Sequence, residues 1–370
     1  MKHIVISGYY GFGNTGDEAA LAGTLASFRS LDENVGFTVL SANPVETATA
    51  HGVPAEPRFS LPAVVRAIRK ADLLISGGGS IFQDATSARS ATYYFGVILI
   101  AKILCKPVML YAQGIGPITR SLTKAQVRLI LNRVNLITVR DEDSAVLLRG
   151  LGVTVPPIHV TADASFALEP EGDDVCASVL EKAGVPAERP KLGVALRSWR
   201  VGEDWPRVVA DGIAATVARI GAVPVFIPMQ YPDDVQLAEA VAAAVGGESV
   251  ILRERLAPVS VKAAIGRMDV VLAMRLHAAL FAAAQGVPFA ALSYDPKVAA
   301  FAKTIPGLPI VEAASLTSQD IADSIQSVWE NRPVLSAALS ARLPDWRREA
   351  LRNARLSLDL LGAKSLPSRY

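Results

Sequence analysis

Along most of the chain, short apolar runs alternate with longer stretches whose apolar positions recur every three or four residues. In the first half the runs are "HIVISG", "GFTVLSA", "ADLLIS", "PVMLYA" and "LITVR". Helical spacing falls between them at Asp17–Arg29, Ala91–Leu104, Lys124–Arg133 and Ser144–Leu151. Uninterrupted apolar strands separated by amphipathic helices predict crossover units and a mostly parallel sheet. Acids, prolines and glycines break the rhythm between 166 and 190, and the alternation then restarts. The second half reads "LGVALR", "AVPVFIP", "SVILRE", "VVLAM" and "PFAALS", with helices expected near Val208–Ile220, Asp233–Val245, Val259–Met268 and His277–Ala284. The stretch from Ser336 to Leu361 reads as one or two helices.

The expected architecture is α/β, with two Rossmann-like doubly wound domains facing a cleft. Residues 1–165 would form the first and 191–330 the second, joined by a 166–190 linker, with C-terminal helices from 331–370 packing back across both. The length of 370 residues suits two such domains of about 150 to 200 residues each.

Composition narrows the function classes. The 37 basic and 35 acidic residues, interspersed along the chain, leave a net charge of +2, which does not mark a nucleic-acid protein. Cys105 and Cys176 lie in unrelated contexts without CxxC, HxH or HExxH companions, so the sequence points to neither a disulfide framework nor a zinc site. The apolar run begins directly after Lys2, leaving no room for a signal peptide, and a cytoplasmic location is expected. "YYFGVILIAKILC" (93–105) is apolar but interrupted by Lys102 and too short for a span of about 18 to 20 residues, so a buried helix is expected. Helical "LPAVVRAIRK" (61–70) reads as an ordinary surface helix and leaves a peripheral membrane contact open.

In open parallel sheets, ligands bind beyond the carboxyl ends of the strands, where helix N-termini present free N–H groups. After the first strand comes "GYYGFGNTGDEAA", with Gly11, Gly13, Asn14, Gly16 and Asp17. The glycine spacing resembles a dinucleotide fingerprint, but Gly8 ends the strand, two tyrosines intervene, and the second strand ends without a ribose-binding carboxylate. Thr15 and Glu18 have the spacing of a capping box, and Asp17 beside them would favour the helix dipole or serve a site. "GGGSIFQDATSARS" follows another strand and supplies Gly78, Gly79, Ser80, Gln83, Asp84 and Arg89, polar groups suited to sugar hydroxyls. "AQGIGP" repeats the device with Gln113.

In the second half, Arg197 and Arg200 follow one strand, and Arg275 and His277 stand where another strand gives way to a helix. Arginine forks at a helix start form an anion pocket, and a histidine there titrates near neutrality. "SYDPKVAAFA" adds Tyr294, Asp295 and Lys297 as second-rank candidates.

Taken together, "GYYGFGNTGDEAAL", "GGGSIFQDATSARSATYYFGVILIAK", "YAQGIGPI", "VRDEDS", "TADASFAL", "MRLHAALFAAAQGVP" and "SYDPKVAAF" resemble the polysaccharide pyruvyltransferase family, specifically its bacterial cell-surface-anchoring branch. The resemblance implies a GT-B-like fold and transfer of a pyruvyl unit from phosphoenolpyruvate to a sugar as a 4,6-ketal, with release of phosphate. In that branch the acceptor is a β-N-acetylmannosamine of a lipid-linked secondary cell wall polysaccharide precursor, made at the inner face of the cell membrane, and S-layer homology domains recognise the product. Carried over by motif, Asp17 matches the acidic residue of the first glycine-rich loop, Arg197 or Arg200 an arginine of the second-domain strand end, and Arg275 and His277 the R-L-H motif associated with the donor. On chemical grounds Lys297 would join the arginines on the donor, His277 would transfer a proton, and Asp17 would act on an acceptor hydroxyl. The glycine loops would shape the acceptor side. Phosphoenolpyruvate would be a co-substrate, with no resident cofactor or metal. Two other readings stand beside it: a nucleotide-sugar glycosyltransferase of the same architecture, and a non-catalytic glycan-binding relative.

Overall fold

A computed structural model describes residues 2–84, 88–199 and 204–362. The chain forms two compact units, each built on its own parallel sheet. The first comprises Met1–Phe12, Asp17–Leu168 and Asp345–Tyr370, and the second comprises Gly13–Gly16 and Glu169–Pro344.

The first unit opens with β1 (Lys2–Ser7), α1 (Thr15–Leu31, from Asp17 on), β2 (Val35–Ser41), α2 (Pro44–His51) and β3 (Ala55–Pro57). It continues through α3 (Leu61–Lys70), β4 (Leu73–Gly77), α4 (Ala88–Ile103), β5 (Val108–Gln113), α5 (Ser121–Leu131), β6 (Leu136–Val139), α6 (Glu142–Gly150) and β7 (Ile158–Val160). The strand order is β3-β2-β1-β4-β5-β6-β7.

Right-handed crossovers place α1 and α2 on one face, because that half of the chain winds toward β3, and α3 to α6 on the other. Both faces are therefore covered, which is why the strands read as uninterrupted apolar runs. Their side chains still alternate. Val5, Leu74, Val108 and Leu110 pack with Val64, Ile68, Tyr94, Ile98, Val127 and Leu148 from α3 to α6. Ile4, Ile6, Leu73, Ile75, Met109 and Tyr111 face Leu21, Leu25 and Phe28 of α1 and, from the C-terminal segment, Ala354 and Leu361.

One close approach on that second face is testable. Gly23 of α1 lies so near the Ala164 carbonyl that a methyl group there would overlap it. Alanine favours a helix over glycine by about 1 kcal/mol, but the obstacle is backbone and cannot rotate away. Gly23→Ala is expected to destabilise the protein by about 1–3 kcal/mol through overpacking, seen as a lower urea midpoint. An unchanged or higher midpoint would mean the 164 loop yields freely.

The second unit begins with α7 (Asp173–Lys182), inside the stretch expected as a linker, where Cys176 and Leu180 are buried. There follow β8 (Lys191–Ala195), α8 (Trp205–Ile220), β9 (Val223–Phe226), α9 (Asp233–Val245) and β10 (Val250–Ile251). Next come α10 (Pro258–Gly266), β11 (Val270–Ala273), α11 (Leu276–Ala284), β12 (Phe289–Ser293), α12 (Pro296–Lys303), β13 (Ile310–Glu312) and α13 (Ser318–Glu330). The order β10-β9-β8-β11-β12-β13 again reverses winding once, between β8 and β11. The C-terminal stretch is one helix, α14 (Arg332–Gly362); its residues 332–344 belong to the second unit and 345–362 to the first.

Candidate functional site

Where the winding direction of a doubly wound sheet reverses, the two flanking loops diverge at the carboxyl ends of neighbouring strands and leave a crevice for ligands. The reversals fall between β1 and β4 in the first unit and between β8 and β11 in the second. The sequence candidates gather at both.

In the first unit the loops after β1 and β4 interlock. Tyr10 is fully buried and its hydroxyl donates to the Gly77 carbonyl at 2.7 Å. Burial, reinforced by the charges of Asp17 and Glu18, pushes this phenol well above its ordinary range and keeps it a neutral donor. Gly78 and Gly79 both have positive φ, 77° and 78°, and a side chain on them would meet the Tyr10 hydroxyl and Asp17 Oδ1 respectively. Only glycine satisfies both demands, so the triple-glycine stretch is the floor against which the Asp17 carboxylate rests. The Thr15–Glu18 capping box expected from the sequence is replaced. Glu18 accepts from the Gly11 N–H and contacts the His51 ring, each at 2.8 Å, while Asn14 Oδ1 accepts the Gly16 N–H at 3.0 Å.

Loops farther along the same sheet edge are tied together by Arg140, Asp84 and Gln113. Arg140, after β6, donates to Asp163 at 2.9 Å and to Ser80 Oγ at 2.8 Å, and packs over Gly114. Asp84 is buried, with its carboxylate accepting the N–H groups of Thr119 and Arg120 and the Thr119 hydroxyl. Burial opposes its ionisation, but these donors prevail and hold its carboxyl below the ordinary range. Gln113 is fully buried and donates to the Ser76 carbonyl, and Gln83 is half-buried beside Phe82 in the chain. Thus Asp84 and Gln113 hold loops in place, whereas Asp17 and Gln83 remain partly exposed. Arg200 and the side chain of Arg89 lie outside the described residues.

Arg58, which follows β3, carried no signal in the sequence. It is buried, donates to the Gly8 carbonyl at 2.7 Å, and sits 4.3 to 5.2 Å from the ring centres of Phe12, Phe59, Tyr93 and Tyr94. A desolvated guanidinium among aromatic faces contributes about 2 kcal/mol per good contact, enough to fix the glycine-rich loop after β1.

In the second unit Arg197, Arg275, His277, Tyr294 and Lys297 all follow the carboxyl ends of β8, β11 and β12. Arg197 donates to the Tyr294 hydroxyl at 2.7 Å. Burial raises the Tyr294 phenol, only partly offset by the nearby Arg197 and Arg275 charges, so it stays protonated between two guanidiniums. Arg275 stands at the N-cap position of α11, and its side chain pairs with Asp234, whose second oxygen accepts the N–H groups of Met229 and Gln230. Asp234 thereby fixes both the arginine and the loop after β9; the sequence showed it only as an acid in a helix's first turn. Lys297 stands in the first turn of α12, its N–H capped by Asp295.

Residues 13–16 complete this cluster. Asn14 donates to the Gln230 side chain at 3.0 Å, the Thr15 N–H reaches the Met229 carbonyl at 2.8 Å, and the Gly13 carbonyl accepts from Tyr231. Gly16 lies directly against the His277 imidazole, where a side chain would collide with the ring. Two guanidiniums, a helix N-terminus and a histidine thus share one strand-end crevice, an arrangement suited to a small multiply charged anion.

The family model for polysaccharide pyruvyl transferase matches residues 14–296, a range that includes Asp17, the triple glycine, Arg197, Arg275, His277 and Tyr294. The chain belongs to this family. No curated protein matches it in sequence. For this pyruvyl transferase family member, solved structures similar in fold include the UDP complex of MnaA from S. aureus, with TM-score 0.70, 13% identity and all of both chains covered. Anabaena Alr3699/HepE in complex with UDP and glucose gives 0.66 at 14% identity, covering 98% of this chain and 100% of that one. The UDP-GlcNAc 2-epimerase from Methanocaldococcus jannaschii gives 0.66 at 12%, covering 97% and 100%. The shared fold is the GT-B-like pair of Rossmann-like sheets. Among the described residues, no helix is long and apolar enough to cross a membrane.

Proposed function

We propose that this transferase moves a pyruvyl group from phosphoenolpyruvate to a sugar diol, closing a 4,6-ketal and releasing phosphate. The single observation that carries the reading is the second unit's crevice, where Arg197, Arg275 and Tyr294 lie together at the β8, β11 and β12 ends with His277 in the first turn of α11. The donor brings a phosphate and a carboxylate, and the two arginines, with Lys297 nearby, match that pair of anions.

His277 protonates the donor's methylene carbon, leaving a cationic carbon that one sugar hydroxyl attacks. Phosphate then leaves, and the second hydroxyl closes the ring. Of the two hydroxyl protons, one restores His277 and the other departs with phosphate. Asp17, in the first unit, is our candidate for orienting or deprotonating an acceptor hydroxyl. By family resemblance the acceptor is a β-N-acetylmannosaminyl unit of a lipid-linked cell wall polysaccharide precursor, and the product serves S-layer anchoring. The enzyme would then work in the cytoplasm at the inner face of the membrane.

The test is phosphate release from phosphoenolpyruvate with and without a lipid-like β-N-acetylmannosaminyl disaccharide, alongside mass spectrometry of the sugar. Acceptor-dependent release with gain of one pyruvyl ketal is expected. Release of UDP from a nucleotide sugar instead would favour the glycosyltransferase reading, which the UDP complexes of fold relatives keep in view. Sugar binding with no donor consumed would indicate a glycan-binding protein.

Tyr294→Phe removes the acceptor for the Arg197 fork. A hydrogen bond to a charged group is worth about 1.5–3 kcal/mol, so KM for phosphoenolpyruvate is expected to rise roughly tenfold or more with kcat little changed. Steady-state kinetics check this, and an unchanged KM would remove Arg197 from donor binding.

A further inference from the structure

The near-zero charge of the whole chain conceals a strong local asymmetry. From residue 85 to 140 there are eight lysines and arginines and no aspartate or glutamate. α3, α4 and α5 also contain no acidic residue. These three helices pack side by side, α3 on α4 and α4 on α5, over one face of the first sheet. What the sequence presented as separate helices is therefore a single basic surface.

That surface is also apolar where it meets solvent. Leu99 and Ile103 stand one turn apart on α4, with Ile103 79% exposed. Leu61 of α3 and Leu122 and Leu129 of α5 are exposed as well. The same helices expose Arg69 and Lys70 on α3 and Lys124 and Arg128 on α5, with Arg133 exposed just after it. Lys124, Arg128, Leu129 and Arg133 line a shallow groove between α5 and the end of α6. The α4 segment expected to be buried thus buries only one side.

Exposed aliphatic groups framed by cations, without acids among them, match a surface that presents anionic headgroups over an apolar interior. A protein partner for the aliphatic stripe alone would not require the exclusion of acids from three successive helices. We infer that the α3–α4–α5 face docks the protein on an anionic lipid bilayer, its aliphatic side chains entering the headgroup boundary and its cations meeting lipid phosphates. This rests on the surface alone and holds whichever reaction the strand-end crevices perform.

Co-sedimentation of the full chain with vesicles of phosphatidylcholine, with or without phosphatidylglycerol, tests it. Binding is expected only to the anionic vesicles and should weaken as salt rises. Lys124→Gln with Arg128→Gln should lower partitioning by roughly thirtyfold, about fivefold per cation. Leu99→Ser with Ile103→Ser should also lower it, and Arg207→Gln, at an exposed position of α8 in the second unit, should not. All of these positions are at the surface, and unchanged thermal unfolding would show that each variant keeps its fold. Absence of anionic-vesicle binding, equal binding to neutral vesicles, or variants that bind like the parent would overturn the inference. A concentration-dependent dimer abolished by the Leu99 and Ile103 changes would do so too, assigning the face to a second copy of the chain.

Discussion

His277→Gln is expected to lower pyruvyl transfer by about 10²–10⁴-fold, the usual loss when a positioned proton-transfer group is removed. The ring stands in the first turn of α11, two residues after Arg275, with its imidazole directly against Gly16. Glutamine has a similar reach and cannot deliver a proton to carbon. Because Arg197, Arg275 and Tyr294 are untouched, KM for phosphoenolpyruvate should change far less than kcat. That split separates a chemical role from a packing one, since a misfolded pocket would damage both. The parent's kcat should also show an ionisation that the variant lacks. A variant that turns over at the parent's rate would exclude His277 as the proton donor. The corresponding Asp17→Asn change tests the acceptor side: a large loss of rate with sugar binding retained is expected.

The largest effect on stability is expected at Asp163. Its carboxylate pairs with Arg140 at 2.9 Å, and the two side chains are only 3% and 6% exposed. It also accepts the Ser165 N–H. Asp163→Ala leaves a guanidinium in a poorly hydrated place, with Asp141 3.8 Å from its Nε as the remaining carboxylate. Breaking one side of a buried ion pair costs about 3–5 kcal/mol, mostly because the other charge stays behind uncompensated. Chemical denaturation should show that loss. Replacing both residues with apolar ones of similar size should recover much of it, as buried pairs often contribute little net stability. A loss below about 1 kcal/mol would place the pair in the class of solvated surface bridges.

The long apolar runs identified the central strands correctly because strands buried on both faces carry a signal that no loop imitates. The edge strands β3, β7 and β13 went unread for the opposite reason. Each has three residues, mostly half-buried, so burial left almost no mark on their composition. α7 was similarly hidden. It begins with two aspartates and buries little beyond Cys176 and Leu180, so its acids read as linker.

At the candidate site, glycines and arginines after strand ends were legible because strand direction alone says where a parallel sheet places its loops. Which polar groups would be used up in holding those loops was not legible. Asp84, from a loop rich in apparent sugar ligands, is taken by amides 35 and 36 residues away. Arg58 reaches back 50 residues to Gly8.

By itself, then, the sequence determined the alternation of strands and helices, the two-sheet class, the strand ends at which the candidate residues lie, and the family. Those depend on periodicity and on short motifs, which are local. The tertiary structure alone decided that Tyr10 and Asp17 meet the triple glycine, that Asp234 fixes Arg275, that Arg140 joins Ser80 to Asp163, and that three acid-free helices form one face. Each depends on strand order, which brings distant segments to neighbouring positions, and no local pattern encodes which distant donor a buried acceptor will find.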